Sequence, residues 1–115
     1  MSTFSKGKAI QDHVRKVLEA KEYLFIEENF KYKNGEIDLI MRDGEFTVFI
    51  EIKSTWEGNV YELLTPTKLS RFKKAIEYWL SQNDKQDTTW RADYIGVKVK
   101  RDGLEIDHLE FIKLH

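Results

Sequence analysis

The chain of 115 residues is 41% hydrophobic and 34% charged, so residues 1–115 read as a single domain with no room for separate substrate and cofactor domains. A chain this long can bury roughly two-thirds of its unfolded surface without a disulfide or zinc staple, and the absence of cysteine excludes disulfides, thiolate zinc sites and cysteine nucleophiles. Nineteen Lys and Arg against 20 Asp and Glu leave a formal net charge of −1, so any reading of a polyanionic partner must rest on local clusters.

The first ten residues contain no apolar signal-like run, and no apolar stretch approaches the roughly 18 residues of a membrane span. Together with the lack of cysteine, this suits a soluble protein of the reducing cytoplasm. Ile10, Val14, Val17 and Leu18 recur at helical spacing from a Ser5 N-cap to Lys21, which predicts an amphipathic first helix. Tyr23 to Tyr32 is rich in aromatic and β-prone residues, and an Asn34-Gly35 turn leads into a second strand over Glu36–Met41. After Asp43-Gly44, Phe46 to Lys53 reads FTVFIEIK. Its apolar residues face both ways, as in a central strand covered on both sides.

Pro66 fits the first turn of a second helix capped by Thr65, with Leu69, Phe72, Ile76, Trp79 and Leu80 as its apolar stripe. Residues 81–90 read as a loop. Ala92–Val99 and Leu104–Phe111 read as two last strands joined at Arg101-Asp102-Gly103. The order αβββαββ predicts an α/β fold of the mixed α+β kind, with three layers and a mixed central sheet.

Asp38 lies in the second strand and Glu51-Ile52-Lys53 ends the third. Period-2 alternation puts Glu51 and Lys53 on one face and Val48, Ile50 and Ile52 on the other. Cross-strand neighbours lie about 5 Å apart, so hairpin pairing can bring Asp38 to Glu51. Two such carboxylates repel unless a hard cation lies between them. Mg²⁺ or Mn²⁺ suits two oxygen ligands plus several waters, and such an ion can activate water while polarising a phosphate oxygen. Lys53 would then orient the water or stabilise phosphate charge. An isolated Glu-Ile-Lys is usually a solvated ion pair of little energetic weight. Here the charges interrupt an apolar run, where holding them is costly without a task.

Lys68 to Lys74 carries four positive charges and no negative one. Lys68 and Arg71 share a helical face that Lys74 extends, an arrangement suited to phosphates but also to plain solvation. Trp56, Trp79 and Trp90 are candidates for base stacking. Trp79 falls in the apolar stripe, and packing is the preferred reading of the other two. His13, His108 and His115 lack metal-ligand spacing of the HxxxH type.

Three blocks carry a resemblance: Asn34-Gly35-Glu36-Ile37-Asp38-Leu39-Ile40, Val48-Phe49-Ile50-Glu51-Ile52-Lys53-Ser54, and Thr65-Pro66-Thr67-Lys68 with Arg71. Over roughly residues 7 to 99 the chain resembles the YraN-like family, which is placed with the restriction-endonuclease-like PD-(D/E)xK nucleases and related to archaeal Holliday-junction resolvases. The resemblance implies a nuclease-like fold in which Asp38 and Glu51 are metal ligands and Lys53 is the catalytic lysine. It also implies a glutamate in the first helix, where this chain has Gln11. Its amide oxygen could hold a metal-bound water but supplies no charge. Asp12 is rotated about 100° away on the helix. The leading expectation is a Mg²⁺- or Mn²⁺-dependent endonuclease acting on DNA, including branched or junction DNA, with a homodimer suited to cutting both strands. The alternatives are a DNA-binding module with little turnover and a protein-interaction subunit that uses the acidic surface.

Overall fold

The computed structural model describes residues 3–85 and 87–114. It consists of helix α1 (Thr3–Ala20), strands β1 (Leu24–Tyr32), β2 (Gly35–Asp43) and β3 (Phe46–Thr55), a single 3₁₀ turn (Val60–Leu63), helix α2 (Pro66–Gln82), and strands β4 (Trp90–Lys100) and β5 (Gly103–Leu109). The five strands form one sheet in the order β1-β2-β3-β4-β5. Only β3 and β4 run parallel, because α2 carries the chain back across the sheet between them. The αβββαββ order and the central position of β3 match the expectation from sequence.

One helix covers each face. Val14 and Leu18 of α1 pack with Leu39, Met41, Val48, Ile50, Ile95 and Val97, residues spaced by helical period on α1 and by two along the strands. Phe72, Ala75, Ile76, Trp79 and Leu80 of α2 pack with Ile37, Ile40, Phe49 and Ala92 on the opposite face. Strand β3 therefore buries Val48 and Ile50 under α1 and Phe49 under α2. That double burial explains its near-continuous apolar sequence.

Several local details differ from the sequence reading. Ser5 lies within α1, which begins at Thr3. Ser81 and Gln82 belong to α2 and Trp90 to β4, so the loop is shorter than 81–90. The α1 terminus closes with Tyr23 N–H donating to Leu18 at 3.1 Å and Glu22 N–H donating to Glu19 at 2.9 Å. This is a Schellman arrangement with Glu22 at φ 72°. The first hairpin turns at Lys33-Asn34, with Lys33 at φ 53° and Gly35 already paired to Tyr32. Gly35 serves a different end from turning. A β-carbon there would stand 2.3 Å from the backbone oxygen of Arg71, so glycine lets α2 lie directly on the start of β2. Gly96 does the same for the 3₁₀ turn, because a β-carbon there would meet Val60 at 2.5 Å. The buried Tyr94 hydroxyl donates to the Val60 carbonyl beside it.

β5 ends at Leu109 rather than Phe111, because Phe111 at φ 56° turns the chain back over β4. The turn is fixed by a buried polar cluster. Asp93, fully buried, accepts from Arg91 Nε at 3.1 Å, from the Phe111 N–H at 3.1 Å, and bonds His108 Nε2 at 2.8 Å. Arg91 also donates to the Tyr23 hydroxyl at 2.9 Å and pairs with Asp43 at 3.0 Å. Removing one member of such a buried set strands the charge of the others. Asp93→Ala should therefore cost about 3 kcal/mol in urea unfolding, near the lower end for a broken buried pair because Asp43 still holds Arg91. A loss below about 1 kcal/mol would show that the cluster does not hold this edge of the fold.

Candidate active site

The ladder between β2 and β3 runs from Asp43↔Phe46 to Leu39↔Ile50 and stops there. One step further, Asp38 would face Glu51. Instead the strands separate, and Asp38 Oδ2 accepts the backbone N–H of Ile52 at 2.6 Å. A side-chain oxygen has replaced the carbonyl that a continuing ladder would have offered. Strand β2 also rotates here. Ile37 packs with Ile40 on the α2 side, although strict alternation would set it with Leu39 and Met41 under α1.

The separation opens two cavities on either side of the sheet. One, of about 430 Å³, lies against α1 and is lined by Asp38, Glu36, Gln11, Ile52 and Ser54 with Lys8 and Lys31 among others. The second, of about 240 Å³, lies against α2 and is lined by Glu51, Lys53, Glu36, Lys68 and Arg71. Glu36 borders both. The simple picture of Asp38 and Glu51 on one face gives way to two carboxylates that line cavities on opposite sides of the sheet, with the charge of Glu51 still felt at Asp38.

Burial and neighbouring charge act on both groups. Burial, and then the charge of Glu51, push the Asp38 carboxyl up to about 7 against the opposing pull of the Ile52 N–H. Burial likewise raises Glu51, although Lys53 pulls it down. Burial alone would lower the Lys53 ammonium, but Glu51, Asp38 and Glu36 hold it above its ordinary value. Lys53 pairs with Glu51 at 3.1 Å, with Glu51 only 12% and Lys53 34% exposed along their side chains. This is not the solvated surface pair that the tripeptide alone would suggest. A lysine so placed stays charged and acts as a donor, not as a base.

Lys68 and Arg71 come to the same cavity as Glu51 and Lys53. Lys68 Nζ donates to the Leu63 carbonyl at 3.2 Å, which fixes its stem beside the site. Lys74 lies with Arg71 along a separate depression beside Tyr32 to Gly35. Gln11 borders the Asp38 cavity, but its amide nitrogen donates to Glu28 and Asn29, each at 3.1 Å. Asp12 points elsewhere and pairs with Lys8 at 3.1 Å. Glu36 is the site residue that the sequence reading passed over. Its position two residues before Asp38 was the available signal, since period 2 keeps such residues together.

Among the described residues no group of three or more His, Cys, Asp or Glu forms a ready metal cluster. The oxygen-only pair of Asp38 and Glu51 fits a hard divalent ion that retains most of its waters, and does not fit a closed cage. His115 lies outside the described residues. Trp79 is buried and donates its indole N–H to Glu27 at 3.0 Å, and Trp90 packs edge-on against Phe49. Trp56, expected to pack, is 61% exposed, because it follows the last paired residue of β3 and leaves the sheet.

Residues 11–97 match the model of the family described as Uncharacterised protein family UPF0102. A UPF0102 protein of Carboxydothermus hydrogenoformans is 29% identical over 107 residues, covering 90% of this chain and 91% of the relative. Similar proteins occur in Aliivibrio salmonicida, 34% identical over 80% of this chain and 79% of the relative, and in Leifsonia xyli, 35% identical over 80% and 78%. The chain belongs to the UPF0102 family, in agreement with the YraN-like resemblance of its GEIDLI and VFIEIK blocks.

The raised carboxyls give stability a definite pH dependence. Unfolded Asp38 releases its proton near 3.8, whereas the folded chain keeps it to about 7. Between those values the native state binds a proton that the unfolded state has lost, so stability falls as pH rises through this window and levels off above it. Thermal melts without metal should show a lower Tm at pH 8 than at pH 5, and Asp38→Asn should remove most of that fall. Mg²⁺ should restore Tm at pH 8 far more than at pH 5, where protons compete for the same oxygens. A parent Tm that rises from pH 5 to pH 8 would contradict the buried-carboxyl assignment.

Proposed function

We propose that this UPF0102 protein is a divalent-metal-dependent endonuclease that hydrolyses a phosphodiester bond of DNA. The observation that carries the reading is the half-buried carboxylates of Asp38 and Glu51, the charge of one raising the other, with Glu51 beside a charged lysine and under a cationic helix face. Asp38 and Glu51 would hold one Mg²⁺ or Mn²⁺. When bound, such an ion lowers the pKa of a coordinated water and polarises a phosphate oxygen.

The chain's own residues supply the rest. Lys53, held charged by Glu51, donates to the phosphate as negative charge builds on it. Its pairing with Glu51 fixes its direction before substrate arrives, which avoids reorganisation during the reaction. Lys68, Arg71 and Lys74 neutralise phosphates flanking the cut and set the register of the strand without reading its sequence. Branched DNA is the substrate class suggested by the resemblance to junction resolvases, and cutting both strands would need a second copy of the chain. No helix among the described residues is long and apolar enough to cross a membrane.

One observation favours a second reading, a nuclease-fold DNA-binding module with slow turnover. Gln11 brings no charge to the Asp38 cavity, and its amide nitrogen ties α1 to β1 through Glu28 and Asn29. The first helix then adds no charged ligand to Asp38 and Glu51, and an added charge would bind an ion more tightly.

Cleavage of duplex, single-stranded, flap and four-way-junction DNA with Mg²⁺ or Mn²⁺ separates these readings. Lys53→Ala should lower any cleavage rate by about 100-fold, as loss of a transition-state donor does, with DNA affinity little changed. Alanine at Lys68, Arg71 and Lys74 together should flatten the salt dependence of binding by about three in the logarithmic slope, one per lost phosphate contact. Metal-independent binding without cleavage would favour the module. Absence of any salt-sensitive nucleic-acid binding would leave the interaction subunit.

A further inference from the structure

Beyond Ile10 from the Asp38 cavity lies an apolar cavity of about 450 Å³. Ile10 and His13 of α1, the exposed Trp56, and Val99 and Leu104 of the β4–β5 hairpin line it. Ile10 is a wall of both cavities. The path of β3 also joins them: Ile52 and Ser54 line the Asp38 cavity, and Trp56, two residues on, lines the apolar one. Two residues of extended chain span roughly 7 Å, about the reach of two nucleotides at roughly 3.4 Å of rise per base along a strand.

We propose that this cavity receives an unpaired nucleobase next to a phosphate held in the Asp38 cavity, with Trp56 as its stacking surface. The proposal rests on the endonuclease reading above and narrows its substrate to DNA with an unpaired nucleotide beside the cut, as in a single strand, a flap or a branch point. The occupant follows from continuity and charge. The polar cavity next door presents Lys8 and Lys31 with the carboxylates of Asp38 and Glu36, the composition expected for a metal and a phosphate. A nucleotide that leaves its phosphate there must place its base somewhere, and the neighbouring space is walled by apolar side chains and an indole. A base in a duplex stays in its stack and cannot enter. An unstacked base has a free aromatic face, and stacking on protein aromatics tolerates any sequence.

The test uses the full chain with Ca²⁺ in place of Mg²⁺, a ten-residue thymidine oligonucleotide, the same oligonucleotide with abasic sites, and a blunt duplex of equal length. Trp56 is the most exposed of the three tryptophans, since Trp79 is 3% exposed and Trp90 half-buried. The single strand should quench the emission, and the quench should vanish in Trp56→Phe while affinity remains near that of the parent. Trp56→Ala should weaken single-strand binding about tenfold, in the range for loss of one stacked base. That tenfold loss should persist from low to high salt, because stacking releases no counterions, even as overall affinity falls. The abasic strand should bind the parent and Trp56→Ala alike. If single-strand affinity is the same in the parent and Trp56→Ala, or if the abasic strand quenches as strongly as the thymidine strand, the cavity does not hold a base, although metal-dependent cleavage could stand. If no DNA of any kind binds, the endonuclease reading fails and the base-binding proposal with it.

Discussion

A single hydrogen bond organises the candidate-site end of this molecule: the Asp38 carboxylate accepts the Ile52 N–H at the point where β2 and β3 cease to pair. Had the ladder continued, a backbone carbonyl would have filled that place and closed the gap between the strands. Because a side chain fills it, the strands part and Asp38 is drawn between them. Glu51 lines the cavity on the other side of the sheet, and its charge acts on Asp38. The strand separation there opens the cavities on either side of the sheet, while burial and neighbouring charge raise the carboxyls against the pull of that bond, and Glu51, Asp38 and Glu36 keep Lys53 charged.

The remainder of the fold keeps this end in place. Gly35 allows α2 to rest its backbone on the start of β2, which brings Arg71 to the site. Tyr94 and Gly96, the register partners of Glu51 and Lys53, hold the 3₁₀ turn whose last residue receives the Lys68 ammonium. Further towards the start of β4, the Asp93 cluster closes the sheet against the C-terminal residues. The first two of these contacts tie α2 and the 3₁₀ turn to the carboxylates, so the cationic face stands opposite the acidic pair by construction of the backbone.

Much of this was legible in the chain. The apolar run of Phe46 to Lys53 marked a strand covered on both faces, and the Thr65-Pro66 start with its stripe fixed α2, because burial and capping are local signals. The charges of Glu51 and Lys53 stood out for the same reason, since charge inside an apolar run is costly. The rotation of β2 between Ile37 and Leu39 was not legible. Alternation assumes a regular strand, and nothing in Gly-Glu-Ile-Asp-Leu announces that Asp38 will take a partner strand's amide. Gly35 looked like a turn residue for a related reason: the sequence shows a glycine but not the helix backbone lying against it. Trp56 was misjudged as packed because its exposure depends on where β3 leaves the sheet, which only the tertiary structure decides.

As proposed above, Asp38 and Glu51 together hold one divalent ion in the gap between β2 and β3. Crystals soaked in Mn²⁺ and measured for anomalous scattering address it most directly. A single peak within coordination distance of both carboxylates, about 2.0 to 2.4 Å from their oxygens for an ion between Mg²⁺ and Ca²⁺ in size, and absent from Asp38→Asn crystals, is the result that this arrangement requires. A peak elsewhere on the surface, or a peak that survives Asp38→Asn unchanged, would contradict it.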